Sequence, residues 1–174
     1  MTQGAPAYAL PLAWLVGLAA GCVPPSTSPI RLNEIMPANS DNCRDEAGET
    51  DDWIELYNPT AAAADLSGYS LTDDSSRPRQ SVIAQGLVIP AHGTILFWAD
   101  GTPAQGNDHL SFRLSKDEEE VVLYDSQERQ VDLFHWTSAK PNYSYARIPD
   151  GSGDWVSCRN PTCGFVNGGS CGTE

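Results

Sequence analysis

From Ile30 onward the chain runs in short stretches whose apolar and polar positions alternate. "IRLNEIM" (residues 30–36) and "DWIELYN" (52–58) both show this period of two, the mark of a β-strand with distinct faces. In the second stretch Ile54 and Leu56 share one face, assigned to the core, and Trp53, Glu55 and Tyr57 share the other. "LSGYSL", "SVIA", "LVIP", "TILFWA", "LSFRLS", "EVVLYD", "QVDLFHW" and "YSYARI" follow, rich in β-branched and aromatic residues. Turn formers separate them, as in "NPT", "PAHG", "ADGTPAQGND" and "PDGSGD". Beyond the first residues no window sustains a 3.6-residue apolar period. Many short strands at close intervals predict an all-β sandwich or barrel over residues 30–167, without internal repeat or second domain. Residues 168–174 form a Gly-rich tail held only through Cys171.

The N-terminus follows a different pattern. Ala7 to Gly21 is almost wholly apolar. That is the length of a signal-peptide core and short of the roughly 20 residues a spanning helix needs. It ends in "LAAGC", which resembles the lipobox of bacterial lipoproteins, where the cysteine is lipidated and becomes the new N-terminus. The expectation is a lipoprotein-type signal peptide over 1–21, lipidation of Cys22, and a short stiff tether over 22–29. Ala19 stands where the lipobox usually has Leu, and the segment before the apolar run lacks Lys and Arg. The alternative is a secretory signal cut near Ala20, releasing a secreted protein. Val23, in place of Asp after the cysteine, implies the outer membrane of a Gram-negative-type bacterium by resemblance to lipoprotein sorting. Acyl anchoring is stable only with two or more chains, at about 0.8 kcal/mol per buried methylene.

Charge narrows the partners. The net charge is −13, and the first 21 residues carry none of it. Such a chain repels nucleic acid phosphates and anionic lipid head groups, so no nucleic acid partner is expected. Cys43, Cys158, Cys163 and Cys171 are an even set in an exported chain, which predicts two disulfides with three pairings open. Three of these four lie in the last 17 residues, so at least one bond joins two of those three. The spacing Cys-x4-Cys-x7-Cys lacks a C-x2-C knuckle and has no His beside it, which argues against zinc.

The acids of "DNCRDEAGETDD" raise a calcium question, because calcium takes six to eight oxygens. An EF-hand loop beginning at Asp41 fails at its third position, Cys43. An irregular calcium set of Asp45, Asp51 and Asp52 with Asp73 or Asp74 stays open beside the plainer reading of a solvated loop. His92, His109 and His135 are scattered, "GYSLT" lacks the second Gly of a nucleophile elbow, and no phosphate-cradling Gly loop precedes a helix. No catalytic residue is assigned, and apart from calcium no cofactor is expected. Trp136, Tyr143, Tyr145 and Trp155 are either a sugar or protein contact surface or part of the core.

The order "NEIM … DDWIELYNP … LSGYSLTDD … IPAHGTILFWAD … FRLS … VVLYD … YARIPDGSGDW … NPTCGFVNG" resembles the lamin tail domain family, from about Ile30 to Asn167. Asn33, Glu34, Asp52, Trp53, Glu55, Leu56, Tyr57, Asn58, Gly68, Arg147 and Gly151 carry the most specific pieces. The resemblance implies an immunoglobulin-like β-sandwich. In nuclear lamins this fold is a protein-interaction module. Bacterial relatives look like envelope or secreted modules, often beside enzymes that hold their own catalytic residues. Thr162, Gly164 and Asn167 match the family's closing Thr-Pro-Gly and Asn, but Cys163 replaces the Pro, which implies a local disulfide fixing that turn. Asp52 is expected to bond its own backbone, and Glu55 to pair with Arg147. The function expected is a non-catalytic, lipid-anchored envelope interaction module whose partner is an envelope or extracellular protein or glycan. The alternative is a calcium-dependent envelope protein, or a small hydrolase, using the acidic 41–52 loop.

Overall fold

The structure is a computed structural model that describes Met1, residues 24–167, Cys171 and Gly172. Cys22 and the leader lie outside the described residues. Eleven strands, and no helix, appear among those residues: β1 (Arg31–Met36), β2 (Trp53–Tyr57), β3 (Ala64–Asp65), β4 (Ser70–Thr72), β5 (Ser81–Val82), β6 (Val88–Ile89), β7 (Thr94–Trp98), β8 (Glu119–Tyr124), β9 (Gln130–Trp136), β10 (Ser144–Ile148) and β11 (Asp154–Cys158). They make a five-stranded sheet, β11-β10-β1-β2-β7, and a four-stranded sheet, β5-β4-β8-β9, with the two-residue β3 and β6 paired beside them. Every strand pair is antiparallel. The result is an all-β, immunoglobulin-like sandwich.

The core between the sheets is what the alternation asks for. Leu32, Ile35, Ile54, Leu56 and Phe97 from one sheet meet Leu71, Val121 and Leu123 from the other, and all are buried. Burying such side chains contributes about 1.5–3 kcal/mol each, the main stabilisation of a helix-free domain. "LSFRLS" behaves differently from its reading as a strand. Leu110, Phe112 and Leu114 do point inward, but the backbone forms only isolated bridges, Trp98 to His109 and Asp100 to Arg113. Alternation there reports sidedness without a ladder partner. β11 and β3 are strands the sequence pattern did not mark.

The five-stranded sheet is covered on both faces. Trp53, Ile54, Glu55 and Leu56 of β2 are all fully buried. Ile54 and Leu56 face the sandwich core. Trp53 lies on the outer side with its cross-strand partners Met36 and Trp98, against Cys43 and Cys163. A third layer therefore exists, made from the β1–β2 connection and the residues after β11. Two disulfides fasten it: Cys43–Cys163, 120 residues apart in sequence, and Cys158–Cys171, 13 apart. The expected local bond at Cys163 is replaced by this long-range one, because the 37–52 loop folds up against the C-terminal loop. Paired cysteines point to an oxidising compartment outside the cytoplasm.

The entry to the sandwich is also tied down. Ser26 Oγ donates to Asp125 (2.7 Å) and Tyr69 OH donates to Ser28 Oγ (3.0 Å), so the later residues of the 22–29 segment pack on the domain. No helix among the described residues is long and apolar enough to cross a membrane.

Candidate functional site

The most elaborate polar construction lies between the outer face of the five-stranded sheet and the C-terminal loop. It starts from a β-bulge. The β1–β2 register shifts between Leu32 and Glu34, so Asn33 and Glu34 both turn into buried surroundings where strict alternation would expose one of them. Asn33 Nδ2 donates to Glu55 Oε1 (2.8 Å) and to Asp150 Oδ1 (2.8 Å). Its Oδ1 accepts from Gly151 N (2.9 Å). Gly151 has φ of +63°, and a Cβ there would stand 2.7 Å from the Tyr57 ring, so this close turn needs glycine.

Glu34 and Glu55 sit directly opposite one another across β1 and β2. Like charges in that position repel. The C-terminal loop supplies what they need. Thr162 donates its amide to both Glu34 oxygens (3.2 Å each) and its hydroxyl to Oε2, and Ser144 Oγ donates to Oε1. Gly164 N donates to Glu55 Oε2 (2.8 Å). Asn167 closes the loop: its amide donates to Asp150 Oδ1 (2.8 Å), and its side chain donates to the carbonyls of Asn33 (3.1 Å) and Arg147 (3.0 Å). Burial pushes Glu55 up to about 8, with the Glu34 charge adding to the rise against the Asn33 hydrogen bond. Burial raises Glu34 as well, over the lowering effect of its Ser144 and Thr162 hydrogen bonds.

Between these anchors the loop turns outward. Phe165 is 74% exposed and Val166 52% exposed, while Asn167 beside them is buried. An apolar pair is thus presented on a loop fixed at Thr162, Cys163, Gly164 and Asn167. The sequence contained the anchors as a resemblance, but no periodicity indicated that Phe165 and Val166 would face solvent.

Several residues fall elsewhere than expected. Arg147 does not pair with Glu55. It lies 4.6 Å over the Trp155 ring, reaches Asp132 (3.1 Å) through Nη2 and donates to the Leu32 carbonyl (3.0 Å). Glu55 is on the sheet's outer side, under the C-terminal loop, which already satisfies it. Asp52 accepts from Asn39 N (2.7 Å), across the 37–52 loop, rather than from its own backbone, and burial pushes it up to about 6. Asn58 organises the turn after β2, donating to the carbonyls of Ala62 (2.7 Å) and Pro90 (2.9 Å). Gly68, with φ of +78°, makes the turn into β4. The aromatics do not form an open platform. Trp136 is buried, and Phe134 lies 4.1 Å from Trp155 and 5.1 Å from Tyr145, ring centre to ring centre.

The calcium set divides. Asp45 and Asp51 come together, joined by Glu49, which was not in the set. Asp52 turns to Asn39 instead. Asp73 and Asp74 are engaged by Arg77, at 3.4 and 2.8 Å, in the β4–β5 turn. His109, scattered in sequence, forms a buried pair with Asp100 (Nδ1 to Oδ2, 2.9 Å). Burial pulls its pKa down, but the Asp100 hydrogen bond and charge outweigh this and leave it raised.

With this geometry in place, comparison with known families is decisive. The family model described as Lamin Tail Domain matches residues 24–138. The chain belongs to the lamin tail domain family. No curated protein matches it. The match ends before β10, yet β10 pairs with β1 and β11 pairs with β10, so this lamin tail domain completes its five-stranded sheet with residues beyond it. As a family member the chain is a β-sandwich interaction domain.

Proposed function

We propose that this lamin tail domain is a non-catalytic interaction module displayed outside the cytoplasm, held to the outer membrane by lipid on Cys22. The observation that carries the reading is the fixed apolar tip. Exposed Phe165 and Val166 cost solubility, and their loop is braced by two buried glutamates and a disulfide. A side chain already held in place loses little further entropy on binding, and aromatic anchors contribute much of the energy at protein interfaces. The acidic body around the tip favours a basic rim on the partner. The "LAAGC" leader and the paired cysteines support export, and the lipobox resemblance supports the anchor.

The test is chemical cross-linking on intact cells that express the full chain, beside a variant carrying Phe165→Ser and Val166→Ser. The expected result is one reproducible envelope protein captured by the parent and lost from the variant, with both fractionating with the membrane. Equal capture by the two, or a parent found only in the medium, contradicts the proposal. Capture of glycan without protein would reassign the partner class.

A further inference from the structure

We propose that Asp45, Glu49 and Asp51 form a calcium site that braces the β1–β2 connection. One carboxylate oxygen from each of the three lies within 4.8 Å of the other two. A cluster of acids alone would mean little. Two of these carboxylates, however, carry a buried oxygen with no hydrogen-bond donor among the described residues: Asp45 Oδ2 and Asp51 Oδ2. Asp45 is only 8% exposed. Its other oxygen accepts from Glu49 N (2.7 Å), which leaves Oδ2 as the free position.

A buried acceptor without a donor costs stability, and two of them in one anionic cluster repel besides. Either a proton or a cation relieves this. The two arginines that line the same cleft relieve it only in part, since neither donates to a free oxygen. Arg44 Nη1 donates to the Gly48 carbonyl (2.7 Å), and Arg113 reaches Asp51 only through its charge. Burial raises the Asp51 pKa, and Asp100, Glu49 and Asp45 raise it further, the same excess of negative field that a cation would feel as attraction.

The chemistry selects the ion. The three donors are all carboxylate oxygens, with neither nitrogen nor sulfur, which suits a hard divalent cation. Calcium bonds to oxygen at about 2.3–2.6 Å, so two of its ligands stand no more than about 5 Å apart. Magnesium, which keeps several of its waters and is usually held by one or two carboxylates, is less suited to three protein carboxylates. Glu49 is steadied by Gln105, whose Nε2 donates to Oε2 (2.8 Å), and the turn is closed by the Asp45 amide on the Glu49 carbonyl (3.1 Å). The site opens on a polar cleft that Glu49 and Asp51 line, which gives water and ions access. Glu46, Asp108 and His109 form a second group close by, but it contains no buried donorless oxygen, and His109 Nδ1 is already committed to Asp100.

The inference is independent of the partner reading. It is tested on the purified, oxidised full chain by calcium titration calorimetry and by thermal melts in EDTA, calcium and magnesium. At calcium about a hundredfold above its Kd the midpoint should rise by roughly 5–10 °C. Asp51→Asn should abolish both the heat of binding and the shift, while its midpoint in EDTA equals or exceeds that of the parent, because one repelling charge is gone. That second readout separates a lost ligand from a misfolded variant. No heat and no shift at roughly 10 mM calcium, above the range of weak extracellular sites, would overturn the proposal. So would a calcium shift that survives Asp45→Asn with Asp51→Asn, or a response to magnesium alone.

Discussion

Trp53 is a residue whose role follows from what covers it. It is fully buried on the outer side of β2, against Met36 and Trp98, and its indole N–H has no acceptor among the described residues. Trp53→Ala should cost about 3–5 kcal/mol by denaturant unfolding, the range for emptying a large aromatic site. Trp53→Phe keeps most of the packing and removes the unpaired donor, so it should cost far less. A loss below about 1 kcal/mol for the alanine variant would place Trp53 on the surface. Glu55 gives a second residue-scale expectation. Its folded pKa is raised from 4.5 to about 8. A raised carboxylate favours the protonated folded state, so its contribution is full below 4.5 and is lost as pH rises toward about 8. Glu34, Asp51, Asp52, Glu119 and His109 are raised too and act in the same sense, in windows set by their own pKa values. Melting midpoints should therefore fall from mildly acid to mildly alkaline pH. Glu55→Gln should flatten that slope while lowering stability by about 1–3 kcal/mol, since the amide turns a donor toward Gly164 N–H. A variant with the parent's full slope would contradict this account of Glu55.

At the scale of elements, the legible strands were those whose burial is decided by one sheet. "QVDLFHW" read directly as β9, whose exposure alternates, and "EVVLYD" read as β8 through its β-branched apolar run, although Val121 to Tyr124 are buried on both faces. β2 read correctly as a strand with Ile54 and Leu56 inward, but its second face was illegible. Glu55 is covered by Gly164, 109 positions away, and Trp53 by Cys163 together with Cys43 of the preceding loop. The bulge at Asn33 was hidden for the same reason, since only the Gly151 and Asp150 partners show why two successive polar residues turn inward. Glu55 with Arg147 was a natural charge pairing. It failed because a sheet's two faces are separate environments, and Arg147 takes Asp132 and the Trp155 ring. The Cys43–Cys163 bond links two elements that share no ladder, closing a loop of over a hundred residues in the unfolded chain. Cys43→Ser with Cys163→Ser should cost about 2–5 kcal/mol in unfolding experiments. A variant as stable as the parent would mean that packing alone holds the third layer.

At the scale of the molecule, family membership fixes the sandwich and its general role as an interaction domain, while the third layer gives this chain its particular surface. Acidic charge spreads over the body, two disulfides fasten the C-terminal layer, and one apolar pair faces out from it. The central claim is that this loop is a fixed layer rather than a loose tail. Hydrogen exchange at the Thr162 and Gly164 amides tests it most directly, because those two N–H groups donate to Glu34 and Glu55. The account predicts protection comparable to the β1 and β2 amides, reduced at Gly164 by Glu55→Gln. Exchange at the rate of an exposed loop would contradict it, and would remove the rigid base from which Phe165 and Val166 are presented.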